Sequence, residues 1–169
     1  HYTHDAAQVG TSEPDGTKDA VGDYALPHNQ KTFRNITAVL AGKAPRELSL
    51  SEVEAIWNAI AFYNYVPTYV ASPSLGGRPS PAQWRAGAAP FRRVLAEHTP
   101  DGVLVCGLTT WDWLVYDSPG GRDVDTRSFE VFPVDGVPCR RIRHPGRGFG
   151  WRQGRPVAEA LLAPNAAGR

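Results

Sequence analysis

Arg141 to Trp151 read "RIRHPGRGFGW", the stretch whose residue types and spacing most directly suggest chemistry. The proline after His144 biases the histidine backbone to an extended conformation, so a strand over Cys139 to Arg143 presents the imidazole stiffly at its end. Gly146, Gly148 and Gly150 then alternate with Arg147, Phe149 and Trp151, a loop whose backbone can approach a ligand closely between cations and rings. That pattern suits a nucleic acid backbone or base; the plainer alternative for His144 is a partly buried histidine bonded to backbone. Arg140, Arg141, Arg143, Arg147, Arg152 and Arg155 crowd the same region, with no acid between Val137 and Ala158. On a chain of net charge +1 this is a local basic site and does not make the whole molecule a polyanion binder.

Asn64, in "FYNYV", offers a donor and an acceptor together, which matches the mixed edge of a base, and Phe62 beside it can supply a stacking face. The alternative is an asparagine ending a helix among core aromatics. In "GGRPSPAQW" a helix N-terminus near Arg78 can hold a phosphate, or the run is only a linker. His1, His4 and Asp5 are the only group resembling a metal site, and no further carboxylate or cysteine partner completes it. The sequence has no G-x-G-x-x-G, Walker lysine, G-x-S-x-G or H-E-x-x-H, which weakens kinase, dinucleotide and common hydrolase readings.

The elements that must position these residues follow from periodicity. His1 to about Gln30 reads as a long loop. Helical spacing marks Thr32–Leu40, and a second helix starts near Ser49 or Ser51, where Ser51 and Glu54 have capping-box spacing, and runs to the Phe62–Tyr65 segment. After a Pro/Gly/Ser-rich loop, Pro81 opens a helix reaching about His98. Asp101–Cys106 is an apolar run of strand length, Gly107 turns the chain, and "LTTWDWLVY" is helical. Ser128–Pro133 and Cys139–Arg143 are further short strands, and Arg155–Ala163 is a last helix. The expected fold is α/β, a three-layer α/β/α sandwich around a small, mostly parallel four-stranded sheet, in one domain. The loops after Cys106 and at His144 should then open on one edge, where such sheets bind ligands.

The 169 residues suffice for one core, and 41% apolar with 21% charged residues is a globular composition. With no apolar run of spanning length and no leader pattern, a cytoplasmic monomer away from membranes is expected. Cys106 and Cys139 lack C-x-x-C spacing and are expected as reduced thiols packed like small apolar groups, with no metal or other cofactor. The chain starts at His1 and has no methionine, so a natural N-terminus upstream is expected.

Taken in order, "AFYNYVP", "GGRPSPAQW", "PDGVLVCGLTTWDWL" and "RIRHPGRGFGW" resemble the uracil-DNA glycosylase superfamily over about Trp57 to Trp151, the order and spacing of the motifs carrying the resemblance. It implies a monofunctional DNA glycosylase that hydrolyses the N-glycosidic bond of a flipped uracil or other altered base in DNA. Asn64 would read the base edge with Phe62 beside it, and His144 would donate to a base oxygen as charge grows there. Arg78, Arg143, Arg147, Phe149 and Trp151 would grip the DNA, Phe149 as the wedge. Gly146 stands where the family usually has serine, and two cysteines replace the four of cluster-bearing members. The family's first motif falls at or just before "HYTHD", which puts Tyr2 in the place of the pocket tyrosine and leaves Asp5 as the candidate for positioning water. Two other readings stand beside this one: a non-catalytic nucleic-acid or nucleotide-binding member, and a metallohydrolase using His1, His4 and Asp5.

Overall fold

The structure, a computed structural model, describes residues 20–68, 70, 78–127, 130–146 and 149–163. Helices α1 (Lys31–Ala41), α2 (Leu50–Asn58), α3 (Pro81–Ala86) and α4 (Ala88–His98) precede β1 (Val103–Cys106). Helix α5 (Leu108–Tyr116), β2 (Val131–Val134), β3 (Val137–Ile142) and α6 (Trp151–Leu162) follow. A π-helical turn at Val21–Ala25 leads into α1, and a 3-10 turn at Pro45–Glu47 separates α1 from α2.

The apolar run bounded by glycines becomes β1, which pairs in parallel with β3 so that Val103 faces Cys139 and Cys106 faces Ile142. The fold is therefore α/β, but among the described residues the sheet has three strands in the order β1-β3-β2 where four were expected. It is also mixed, because β2 pairs antiparallel with β3. Asp135 (φ 49°) and Gly136 (φ 85°) both take left-handed backbone, the geometry of a two-residue hairpin turn whose twist matches the flanking strands.

Alternation along the strands splits the core between the two faces of the sheet. Val105, Val134 and Cys139 face a cluster built by Trp111, Leu114 and Val115 of α5, Phe91 and Leu95 of α4, and Trp84 and Tyr65. Leu104, Cys106 and Ile142 face Val39 of α1, Ala158 of α6 and Phe149. A third cluster joins α1 to α2 through Phe33, Ile36, Val53 and Trp57. There Trp57 Nε1 donates to Thr37 Oγ1 at 3.0 Å, and that hydroxyl donates to Phe33 O at 2.9 Å, so both polar groups are satisfied inside the cluster.

Four helix boundaries differ from expectation. The cap of α2 is Ser49 with Glu52, not Ser51 with Glu54. The 81–98 helix restarts at Ala88, which puts Pro90, with no N–H to donate, in a first turn, where that N–H would have no partner within the helix. Helix α2 stops at Asn58 because Phe62 enters one apolar cluster while Tyr63 and Tyr65 enter another, which no single helical face can do. The last helix begins at Trp151, four residues before the expected start.

Candidate functional site

Parallel pairing sets the position of His144. Gly107 N donates to Ile142 O at 2.9 Å, extending the β1–β3 ladder by one bond, so the turn after β1 and the His144 loop leave the sheet at the same edge. At φ 135°, ψ 135° Gly107 has a backbone that side-chain-bearing residues avoid, which lets the chain pass directly from strand to α5.

The loop itself is clamped from below. His144 is exposed, whereas Pro145 is fully buried. Asn35 Nδ2 of α1 donates to Pro145 O at 2.6 Å. Gly146 lies so close to α1 that a Cβ there would stand 2.6 Å from Thr32 Oγ1. Gly146 N donates to Nδ1 of His144 at 3.1 Å. An imidazole nitrogen that accepts cannot carry the proton, so the neutral ring is held with its N–H at Nε2. The arrangement is an imidazole donor on a clamped turn at the carboxyl ends of the parallel strands, the edge at which α/β sheets generally bind ligands.

Asn64 is exposed between rings that anchor its segment on both sides. Phe62 packs 5.4 Å from Phe33 and 5.8 Å from Trp57. Tyr63 lies 6.1 Å from Phe91, and Tyr65 5.7 Å from Phe91 and 6.3 Å from Trp84. Phe62, partly buried, is therefore an anchor of the segment, tilted 58° against Phe33 and edge-on to Trp57, and not the free stacking face for a base that was expected. Phe33, which holds Phe62, is one residue from Thr32 and two from Asn35, so the first turns of α1 support both the Asn64 segment and the His144 loop.

The expected DNA-gripping residues separate. Arg143 and Arg78 are exposed, Arg143 directly before His144. Near Arg78 the six-residue α3 is already capped: Ser80 Oγ accepts from Gln83 N at 3.3 Å and Ser80 N donates to Gln83 Oε1 at 2.9 Å, so its end is no phosphate cradle. Trp151 is half-buried at the start of α6, with the Arg152 guanidinium 5.0 Å over its ring. Phe149 is corrected outright, because it is only 7% exposed and packs with Val39, Ile142 and Ala158. Gly154 makes its place, since a Cβ there would come within 2.6 Å of the ring and 2.9 Å of Val39 Cγ2. A wedge must be free to leave the core; Phe149 is part of it. Arg155 is spent on structure, donating to the carbonyls of Val39 and Leu40 at the end of α1 and to Glu159. Tyr2, Asp5, Arg147 and the His1–His4 group lie outside the described residues. Among the described residues no cluster of three or more His, Cys, Asp or Glu can hold a metal ion, and no helix is long and apolar enough to cross a membrane.

A feature that sequence reasoning missed adjoins the clamp. His28, Lys31, Arg34, Asn35, Ala44, Pro45 and Arg46 line an open cleft of about 490 Å³. Burial, and then the charge of Arg34, lower the pKa of His28, so it contributes no cation at neutral pH. Lys31, Arg34 and Arg46 are exposed. The signal was present: no acid occurs between Asp23 and Glu47.

No family model, no curated protein and no solved structure matches this chain.

Proposed function

We propose that this protein is a divergent relative of the uracil-DNA glycosylases that hydrolyses the N-glycosidic bond of a base extruded from DNA, with His144 as the donor to the departing base. The observation that carries the reading is the Gly146 N–H on Nδ1 of His144, which leaves Nε2 as the donor atom of an exposed ring at the sheet edge. Breaking the bond between the sugar C1′ and the base nitrogen sends the bonding electrons into the base, where negative charge gathers on a carbonyl oxygen. A donor already fixed in place for that oxygen stabilises the transition state without reorganising, and removing one such donor typically costs about 10²–10³-fold in rate. Water supplies hydroxide to C1′ and its proton to the released base, so the reaction consumes only water. Asn64, exposed on its anchored segment, has the donor and acceptor to read the edge of the extruded base. Extrusion costs a few kcal/mol of stacking, which cationic contacts to phosphate offset. Arg143 and Arg78 are exposed to make such contacts.

The test is abasic-site formation on single- and double-stranded oligonucleotides carrying uracil, hypoxanthine, xanthine or alkylated bases. The reading expects release of one of these bases. Tight binding with no release from any of them would replace it with the non-catalytic reader of nucleic acid.

A further inference from the structure

We infer that the cationic cleft formed by α1 and the Pro45–Glu47 turn binds the phosphodiester backbone of the nucleic acid strand whose base is handled at His144. The inference deepens the function proposed above and rests on it for the identity of the strand.

Three features of the cleft carry it. The first is charge without compensation: among the described residues, none of Lys31, Arg34 and Arg46 forms an ion pair. Of the nearby acids, Glu52 is taken by Lys43 and Ser49, and Glu47 accepts from Ala44 N at 3.1 Å on the cleft rim, one carboxylate against three cations. A solvated helix face ordinarily intersperses both signs, and an excess of cations around one concavity is the electrostatic footprint of an anion site. The second is shape. The cleft of about 490 Å³ is open to the surface and draws its cations from two separate elements, which suits a chain passing through better than a small anion enclosed on all sides. The third is continuity. Asn35 lines the cleft with Lys31 and Arg34 and also donates to Pro145 O, so the His144 loop and the cleft share one residue.

The experiment compares the salt dependence of oligonucleotide binding by the wild type and by Lys31→Gln/Arg34→Gln/Arg46→Gln. All three side chains are exposed, so the melting temperature should hold. A control with equal charge change, Arg85→Gln/Arg93→Gln/Arg122→Gln, alters exposed cations outside the cleft. The expected result is a slope of log K against log salt shallower by about 2–3 in the cleft variant and by less than about 1 in the control. Base release at saturating DNA should be unchanged in the control. An unchanged slope in the cleft variant, or an equal loss in the control, overturns the cleft. If the triple variant melts early, Arg46→Gln alone, on the separate turn, must still lower the slope by about 1. Binding that responds as expected with no base released by the wild type would keep the cleft and discard the glycosylase, so the two readings fail separately.

Discussion

Gly146 donates its backbone N–H to Nδ1 of His144 at 3.1 Å, and the same glycine rests against Thr32 with no room for a Cβ. The contact that fixes the tautomer of the imidazole therefore depends on the absence of a side chain two residues later. Gly146→Ser should push the loop off α1, destabilise the fold by about 1–3 kcal/mol and slow the proposed base release. Thr32→Ala in the same chain should recover most of both losses. Urea unfolding of the two single variants and the double variant measures the coupling; additive effects would mean that Thr32 does not constrain the loop.

Phe149 and Gly154 should behave as one packing unit. Phe149→Ala removes a core ring and should cost about 3–5 kcal/mol. Gly154→Ala should cost about 1–3 kcal/mol even though alanine is the better helix former by about 1 kcal/mol, because its methyl has no room beside the ring. Chemical denaturation checks both. A Phe149→Ala variant of unchanged stability with activity lost only on duplex DNA would return this residue to the role of wedge.

Alkaline pH should weaken the fold through Cys139. Burial pushes its thiol up to about 12 in the folded protein, whereas an unfolded thiol ionises near about 8.5. Below about 8.5 both states hold the proton and the group contributes no pH dependence. Above it the unfolded state releases a proton that the folded state keeps, so stability falls as pH rises toward 12, by about 2 kcal/mol at pH 10. Urea unfolding at pH 7 and pH 10 should show a smaller drop for Cys139→Ala than for the wild type. Equal drops would assign the alkaline loss to other groups.

The parts of this molecule governed by local rules were legible in its sequence. The apolar run before Gly107 had to be a buried strand, and the same edge for the two loops follows once that strand and the one before His144 are parallel. The hairpin was not expected although Asp135-Gly136 is a strong turn signal, because two short apolar runs fit separate strands of a mostly parallel sheet as readily as the two arms of a hairpin. The location of Phe149 was not legible, since alternating glycine and aromatic residues look the same whether a ring faces solvent or fills the notch at Gly154. The cationic cleft escaped because Lys31, Arg34 and Arg46 are spread over a helix and a turn and meet only when the chain folds back between them. Asn35 carried no sequence signal at all; its role at Pro145 is a contact across 110 positions.

As proposed, His144 acts on the departing base and does not merely hold DNA. Single-turnover release of the preferred base should be measured for the wild type and His144→Ala at saturating DNA, with affinity determined in the same samples. The expected result is a rate lower by about 10²–10³-fold with affinity nearly unchanged. An undiminished rate, or affinity falling in step with it, would contradict the assignment of His144 as donor.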